Sequence, residues 1–134
     1  MTNGQKKISI VITNFNYGRY LARAVESVLA QDFPRDDLEL IIVDDGSSDE
    51  SGHVLARYEG RAQVVCQQHQ GLVAALNLGL KRSGGLLWAR LDADDVLAPN
   101  VLSQAVAAFS GQAGPDYVFF DYIVVDAKIG DERL

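Results

Sequence analysis

A chain of 134 residues with 48% hydrophobic and 22% charged side chains has the composition of one globular domain, with enough apolar content to bury a real core. Its formal net charge of −6 argues against nonspecific nucleic-acid binding, which needs a basic face, so an anionic ligand has to be admitted locally by a cation, backbone N–H groups or a metal. The single cysteine, Cys66, excludes an internal disulfide, the N-terminus lacks an apolar leader, and no apolar run nears the ~20 residues of a membrane span. The expectation is a cytoplasmic protein that is not transmembrane, with peripheral membrane contact left open.

Residues 7–13, Lys-Ile-Ser-Ile-Val-Ile-Thr, are mostly apolar and β-branched, as a buried parallel strand should be. The strand breaks at Asn14-Phe15-Asn16-Tyr17-Gly18. A helix follows with Leu21, Ala24, Val25, Val28 and Leu29 on one face, and Asp32-Phe33-Pro34 ends it. Residues 38–43 form a second strand that stops at Asp44-Asp45-Gly46-Ser47-Ser48. Ser47 and Glu50 have capping-box spacing, which predicts a helix from Ser47 to about Tyr58. Residues 63–67 are a short third strand; Cys66, in the apolar run Val64-Val65-Cys66, reads as a buried structural thiol rather than a nucleophile. Residues 71–82 have a helical pattern, with Leu72, Leu76 and Leu80 aligned and Gly84-Gly85 closing the element. An apolar strand over 86–91 comes next. A helix carrying Val101, Leu102, Ala105, Val106 and Phe109 follows, and a last strand covers 117–125. Asp121, in the middle of that strand, is either a hydrogen-bonded strand acid or a site residue.

Strands alternating with helices give an α/β fold, an open, mostly parallel β-sheet flanked by helices, with residues 1–134 as a single domain. The chemistry is expected where the 86–91 strand runs into Asp92, Asp94 and Asp95. A strand interior cannot carry three adjacent acids, which would need desolvation and repel one another, so they fall just past its C-terminal end. Open α/β sheets place their ligands there. Asp92 and Asp94, two apart on extended chain, can point to the same side and share one hard cation with diphosphate oxygens. The alternative is a polar turn with an Asp capping the helix that begins near Pro99. In a parallel sheet the loops 13–18, 44–48 and 92–95 converge on one edge, which favours a site. The glycine-rich G-x-G-x-x-G and G-x-x-x-x-G-K-[ST] phosphate loops are both absent, so a metal on Asp92 and Asp94 is the available way to hold a pyrophosphate.

Taken together, Ile-Ser-Ile-Val-Ile-Thr-Asn-Phe-Asn, Ile-Ile-Val-Asp-Asp-Gly-Ser-Ser-Asp and Ala-Arg-Leu-Asp-Ala-Asp-Asp resemble the motifs of the family 2 glycosyltransferases, with their GT-A fold and D-x-D motif. The segment from Gly71 to Gly79 and the late Phe120-Asp121-Tyr122 are similar as well. The match runs in order from about Lys7 to Asp126.

The resemblance implies a donor-binding domain for a nucleoside-diphosphate sugar, with a UDP-sugar as the commonest choice and Mg²⁺ or Mn²⁺ as cofactor. Thr13 and Phe15 would cradle the base, Phe15 by stacking, and Asp45 would hydrogen-bond the base or ribose. Asp92 would contact the ribose or the metal, and Asp94 would be the principal metal ligand. Arg90 would either pair with the acids or reach a phosphate. Many members carry an Arg where this chain has Leu76. The family's general base and acceptor-binding region lie downstream of the matched stretch, so the expectation is the donor-binding half of a fold truncated after it, with no catalytic base among these residues.

Two functions follow from this. One is a donor domain for inverting glycosyl transfer; the other is a nucleotide-sugar-binding or assembly module without transferase activity of its own. A nucleotidyltransferase fits less well, because Asn14 to Arg19 is not a glycine-rich basic loop. Self-association through the apolar 117–125 edge, with Phe119, Phe120 and Ile123 exposed, is a further expectation.

Overall fold

A computed structural model describes residues 4–110. The expected 117–125 strand, its Asp121 and the self-association edge lie outside those residues. Four parallel strands form one sheet in the order β3-β2-β1-β4: β1 Ile8–Asn14, β2 Leu38–Asp44, β3 Gln63–Cys66 and β4 Leu87–Asp92. Helix α1 (Gly18–Leu29) joins β1 to β2, α2 (Ser51–Ala56) joins β2 to β3, α3 (Leu72–Arg82) joins β3 to β4, and α4 (Val101–Ala108) follows β4. The chain steps outward from β1 through β2 to β3 and then crosses back to the far side of β1. A reversal of strand order of this kind opens a crevice at the carboxyl ends of the strands.

The strands at the centre are buried on both faces, which is why β1 and β2 read as unbroken apolar runs. On one face Leu21, Val25 and Val28 of α1, Val54 and Leu55 of α2, and Leu102 of α4 pack with Ile10, Ile12, Leu40 and Ile42. On the other, α3 lies against Val11, Ile41 and Val43 through Ala75. Gly79 sets the closeness of that packing, because a Cβ there would collide with the Val11 side chain.

Several expectations are corrected. Helix α3 turns Ala75 and Gly79 inward, while Leu72 and Leu80 are about half exposed; small residues let the helix approach β1, and the leucine row faces elsewhere. Helix α2 begins at Ser51 rather than Ser47, without a side-chain cap, because the Ser47 hydroxyl is bonded into the loops at the sheet edge. Cys66 is exposed, since β3 is the edge strand of the sheet among the described residues. Partial burial and the charge of Asp44 push its thiol up, away from the reactive thiolate form. Strand β4 alternates: Leu91 is buried, whereas Trp88 and Arg90 are exposed on the α3 side. None of the helices described is long and apolar enough to cross a membrane.

Candidate functional site

The strand ends on either side of β1 meet at Thr13, which lies in register with Val43 of β2 and Asp92 of β4. One residue further, Asn14 is level with Asp44. A cleft of about 320 Å³ opens above this point, and Thr13, Phe15, Asp45, Asp92 and Asp94 all line it. The three loops expected to converge do so.

The first two loops are stitched together by polar groups. Asn14 is almost fully buried, and its amide nitrogen donates to Asp44 Oδ1 (2.8 Å) and Ser51 Oγ (2.8 Å), with Ser47 Oγ at 3.2 Å. Asn16 takes a left-handed conformation (φ 58°), which turns its side-chain oxygen to the backbone N–H groups of Ser48 and Asp49. Asp49 accepts from the N–H groups of Gly18 and Ser51. Burial alone would raise the Asp49 carboxyl, but bonds from Ser51 and Gly18 outweigh it and hold the group below its ordinary value.

Asp45 is the most completely held acid of the site. Only 3% of it is exposed. Oδ1 accepts from Gln67 Nε2 (2.8 Å) and Gln70 N (2.8 Å), and Oδ2 accepts from Gly71 N (2.9 Å) and faces His69 Nδ1 at 2.9 Å. Four partners fill the acceptor capacity of a carboxylate. Burial raises its pKa, and the bonds from Gln70, Gln67 and Gly71 together with His69 more than reverse that. Asp45 therefore organises the 67–71 segment that walls the cleft. The next residue, Gly46, has φ +79°, and a Cβ on it would lie 2.8 Å from His69 N, so glycine is required for this close approach.

Phe15 is 40% exposed and stacks on His69, with ring centroids 4.0 Å apart and an interplanar angle of 20°. Sequence reasoning missed His69. The only available signal was a polar Gln67-Gln68-His69-Gln70-Gly71 connection between a short strand and a helix.

The third loop is a tight turn. Asp95 N donates to Asp92 O at 3.0 Å, and buried Ala93 anchors the corner. The turn, rather than extended chain, brings the acids together: Asp92 is the last residue of β4, and one carboxylate oxygen from each of Asp92, Asp94 and Asp95 lies within 4.8 Å of the others. Such hard oxygen donors, crowded and largely open to solvent, fit a divalent cation. Partial burial, then the charges of Asp94 and Asp92, push the Asp95 carboxyl up. Arg90 pairs with this cluster, Nη2 lying 2.7 Å from Asp92 Oδ1. Behind the turn, Gln31 of the α1 C-terminal region holds the following segment: its amide donates to Ala98 O (2.6 Å) and accepts from Leu102 N (3.0 Å). No sequence pattern singled out Gln31.

The family model described as "Glycosyl transferase family 2" matches residues 9–133. A relative from Nostoc sp., named as an uncharacterized glycosyltransferase, is 44% identical over 107 residues, covering 77% of this chain and 33% of the relative. The crystal structure of TarS from S. aureus in complex with UDP-GlcNAc superposes with a TM-score of 0.69 at 26% identity, over 77% of this chain and 31% of that one. The mannosyltransferase PcManGT from Pyrobaculum calidifontis, solved with GDP-Man and Mn²⁺, gives a TM-score of 0.71 at 22% identity, over 82% of this chain and 34% of that one. The chain thus spans about a third of the length of these proteins.

Proposed function

The chain belongs to glycosyl transferase family 2 and has the GT-A fold, and on that premise we propose that it is the donor-binding part of an inverting glycosyltransferase that holds a nucleoside-diphosphate sugar through a divalent cation. The observation that carries the reading is the convergence of Thr13, Phe15, Asp45, Asp92 and Asp94 on one cleft at the reversal of strand order. The complex of the TarS relative with UDP-GlcNAc supports a uridine donor as the first to test.

In this reading the nucleoside lies along the end of β1. Thr13 and Phe15 cradle the base, and Phe15 offers it a ring face. Asp45 shapes the wall beside them; a direct bond from Asp45 to base or ribose would take the place of one of its four present partners. Asp94 and Asp92 would hold Mg²⁺ or Mn²⁺, with Asp95 beside them. Such a cation, when bound, supplies Lewis-acid stabilisation of the departing diphosphate. Arg90, tied to Asp92, keeps a positive charge beside the acids. Buried Ala93 anchors the acid turn, and the Gln31 bonds hold the segment that follows it.

The test is calorimetric titration of UDP into the purified protein with Mn²⁺ and with EDTA, repeated on Asp94→Ala. Binding that needs Mn²⁺ and is lost in the variant is the expected result. Absence of binding in every condition would defeat the donor-site reading. UDP binding without any sugar transfer, even with the rest of the polypeptide present, would favour the nucleotide-sugar-binding module over the transferase.

A further inference from the structure

The family resemblance places the base on Phe15 and assigns nothing to His69. We infer that His69 is a positioning residue for the nucleobase: it braces Phe15 from behind, so that the base platform is a two-ring stack rather than one aromatic side chain. The inference rests on the donor-site reading above.

Phe15 sits in a loop just past β1, in contact with solvent over 40% of its surface, and such a ring has freedom to lose when a base stacks on it. His69 removes much of that freedom beforehand. The two rings are nearly parallel at 4.0 Å, so one face of Phe15 is already covered and the base must use the other. His69 is in turn fixed by a buried group: its Nδ1 lies 2.9 Å from Asp45 Oδ2 and 3.2 Å from Asp45 O. Both are acceptors, so Nδ1 carries a proton and the ring plane is set. The backbone on its C-terminal side is held by the same carboxylate, through Gln70 N and Gly71 N, and Gly46 admits the loop from below. A chain of contacts therefore runs from the buried acid through the imidazole to Phe15, and each link stands in the cleft wall. Histidine suits the middle position because it combines a flat ring with a ring N–H donor close enough to the backbone to reach the Asp45 carboxylate. The side chain of His69 is 56% exposed, so its conformation is not dictated by burial, and its substitution leaves the core intact.

The experiment compares two probes, UDP with Mn²⁺ and inorganic pyrophosphate with Mn²⁺, by calorimetry, with a thermal melt on every variant. His69→Ala should weaken UDP roughly tenfold, the scale of one aromatic stack, and leave pyrophosphate within twofold. His69→Phe, which keeps a ring, should retain most of the UDP affinity, whereas His69→Gln, which keeps a hydrogen bond and loses the ring, should behave like Ala. In a Phe15→Ala background the further change His69→Ala should cost less than twofold, because a residue acting through Phe15 has nothing left to act on. Equal losses for UDP and pyrophosphate, or additive losses with Phe15→Ala, would overturn the inference. An unsubstituted protein that binds pyrophosphate but not UDP would remove the nucleoside pocket and the His69 role together, while leaving the metal turn standing. One that binds neither would remove the donor-site reading itself.

Discussion

Two groups of aspartates lie across β1 from each other at the same sheet edge and are in opposite physical states. On the β2 side, Asp45 is buried and each oxygen has two protein partners. On the β4 side, Asp92, Asp94 and Asp95 crowd together with Arg90 as the ion-pair partner at Asp92, and Asp94 and Asp95 are exposed. One carboxylate is finished by the protein and holds loops in place. The others have few protein partners, and partial burial followed by the charges of Asp94 and Asp92 pushes the Asp95 carboxyl up. The difference separates an acid bound into the scaffold from acids left open to solvent, although both occur in an acidic turn after a parallel strand.

Substitution should split the two groups cleanly. Asp45→Ala strands the N–H groups of Gln70 and Gly71 and should lower unfolding stability by about 3 kcal/mol, read from urea midpoints. Asp94→Ala should leave the melting temperature unchanged or slightly raised, since it relieves repulsion, while weakening Mn²⁺-dependent UDP binding by roughly 100-fold or more, at least the scale of losing a supporting group around a metal. A protein in which Asp94→Ala unfolds and Asp45→Ala does not would break the contrast.

Gly46→Ala probes the scaffold side without touching a charge. A Cβ at φ +79° and 2.8 Å from His69 N should cost about 1–3 kcal/mol and displace the 67–71 wall. Weaker UDP binding with unchanged Mn²⁺–pyrophosphate binding is the expected pair of results.

The β2-side acids should also mark the acid limb of stability. Asp45 and Asp49 are held below their ordinary value of 3.8 in the folded state, so near that pH the unfolded chain binds more protons than the folded one. Their stabilisation is therefore complete above about pH 4 and is lost as pH falls through the lower folded values. Asp49→Asn should flatten the decline in urea midpoint below pH 4; an unchanged slope would assign the decline to other groups.

How much of this could be read from the sequence follows the same division. The four described strands, their order along the chain and the position of the acids at the end of β4 were legible because apolar runs and adjacent carboxylates are local patterns. The acids were read on extended chain, whereas a turn brings them together. The helix over 47–58 was misplaced because Ser47 had two possible uses, and long-range bonds to Asn14 and Asn16 won over the local capping box. Cys66 was taken for a core residue because a β-branched run looks the same in an edge strand as in a central one. His69 and Gln31 were invisible, since their roles depend on partners far away in sequence: Asp45 and Phe15 for one, Ala98 and Leu102 for the other.

The smallest effect tests the ion pair between Arg90 and the acid cluster. Arg90 and Asp92 form an ion pair with both side chains more than 40% exposed, and pairs of that kind contribute about 0–1 kcal/mol. Arg90→Ala should therefore leave the melting temperature almost unchanged. Its effect on ligands has two parts of opposite sign. The guanidinium occupies Asp92 Oδ1 and repels a cation, so Mn²⁺ alone should bind a few-fold more tightly to the variant, by an amount that shrinks with added salt. If Arg90 also reaches a phosphate, UDP with Mn²⁺ should bind more weakly than that gain predicts. Tighter Mn²⁺ with proportionately tighter UDP would make Arg90 a structural partner of the acids only. Tighter Mn²⁺ with weaker UDP would place Arg90 on the diphosphate, and no change in Mn²⁺ affinity would show that the cation does not use Asp92.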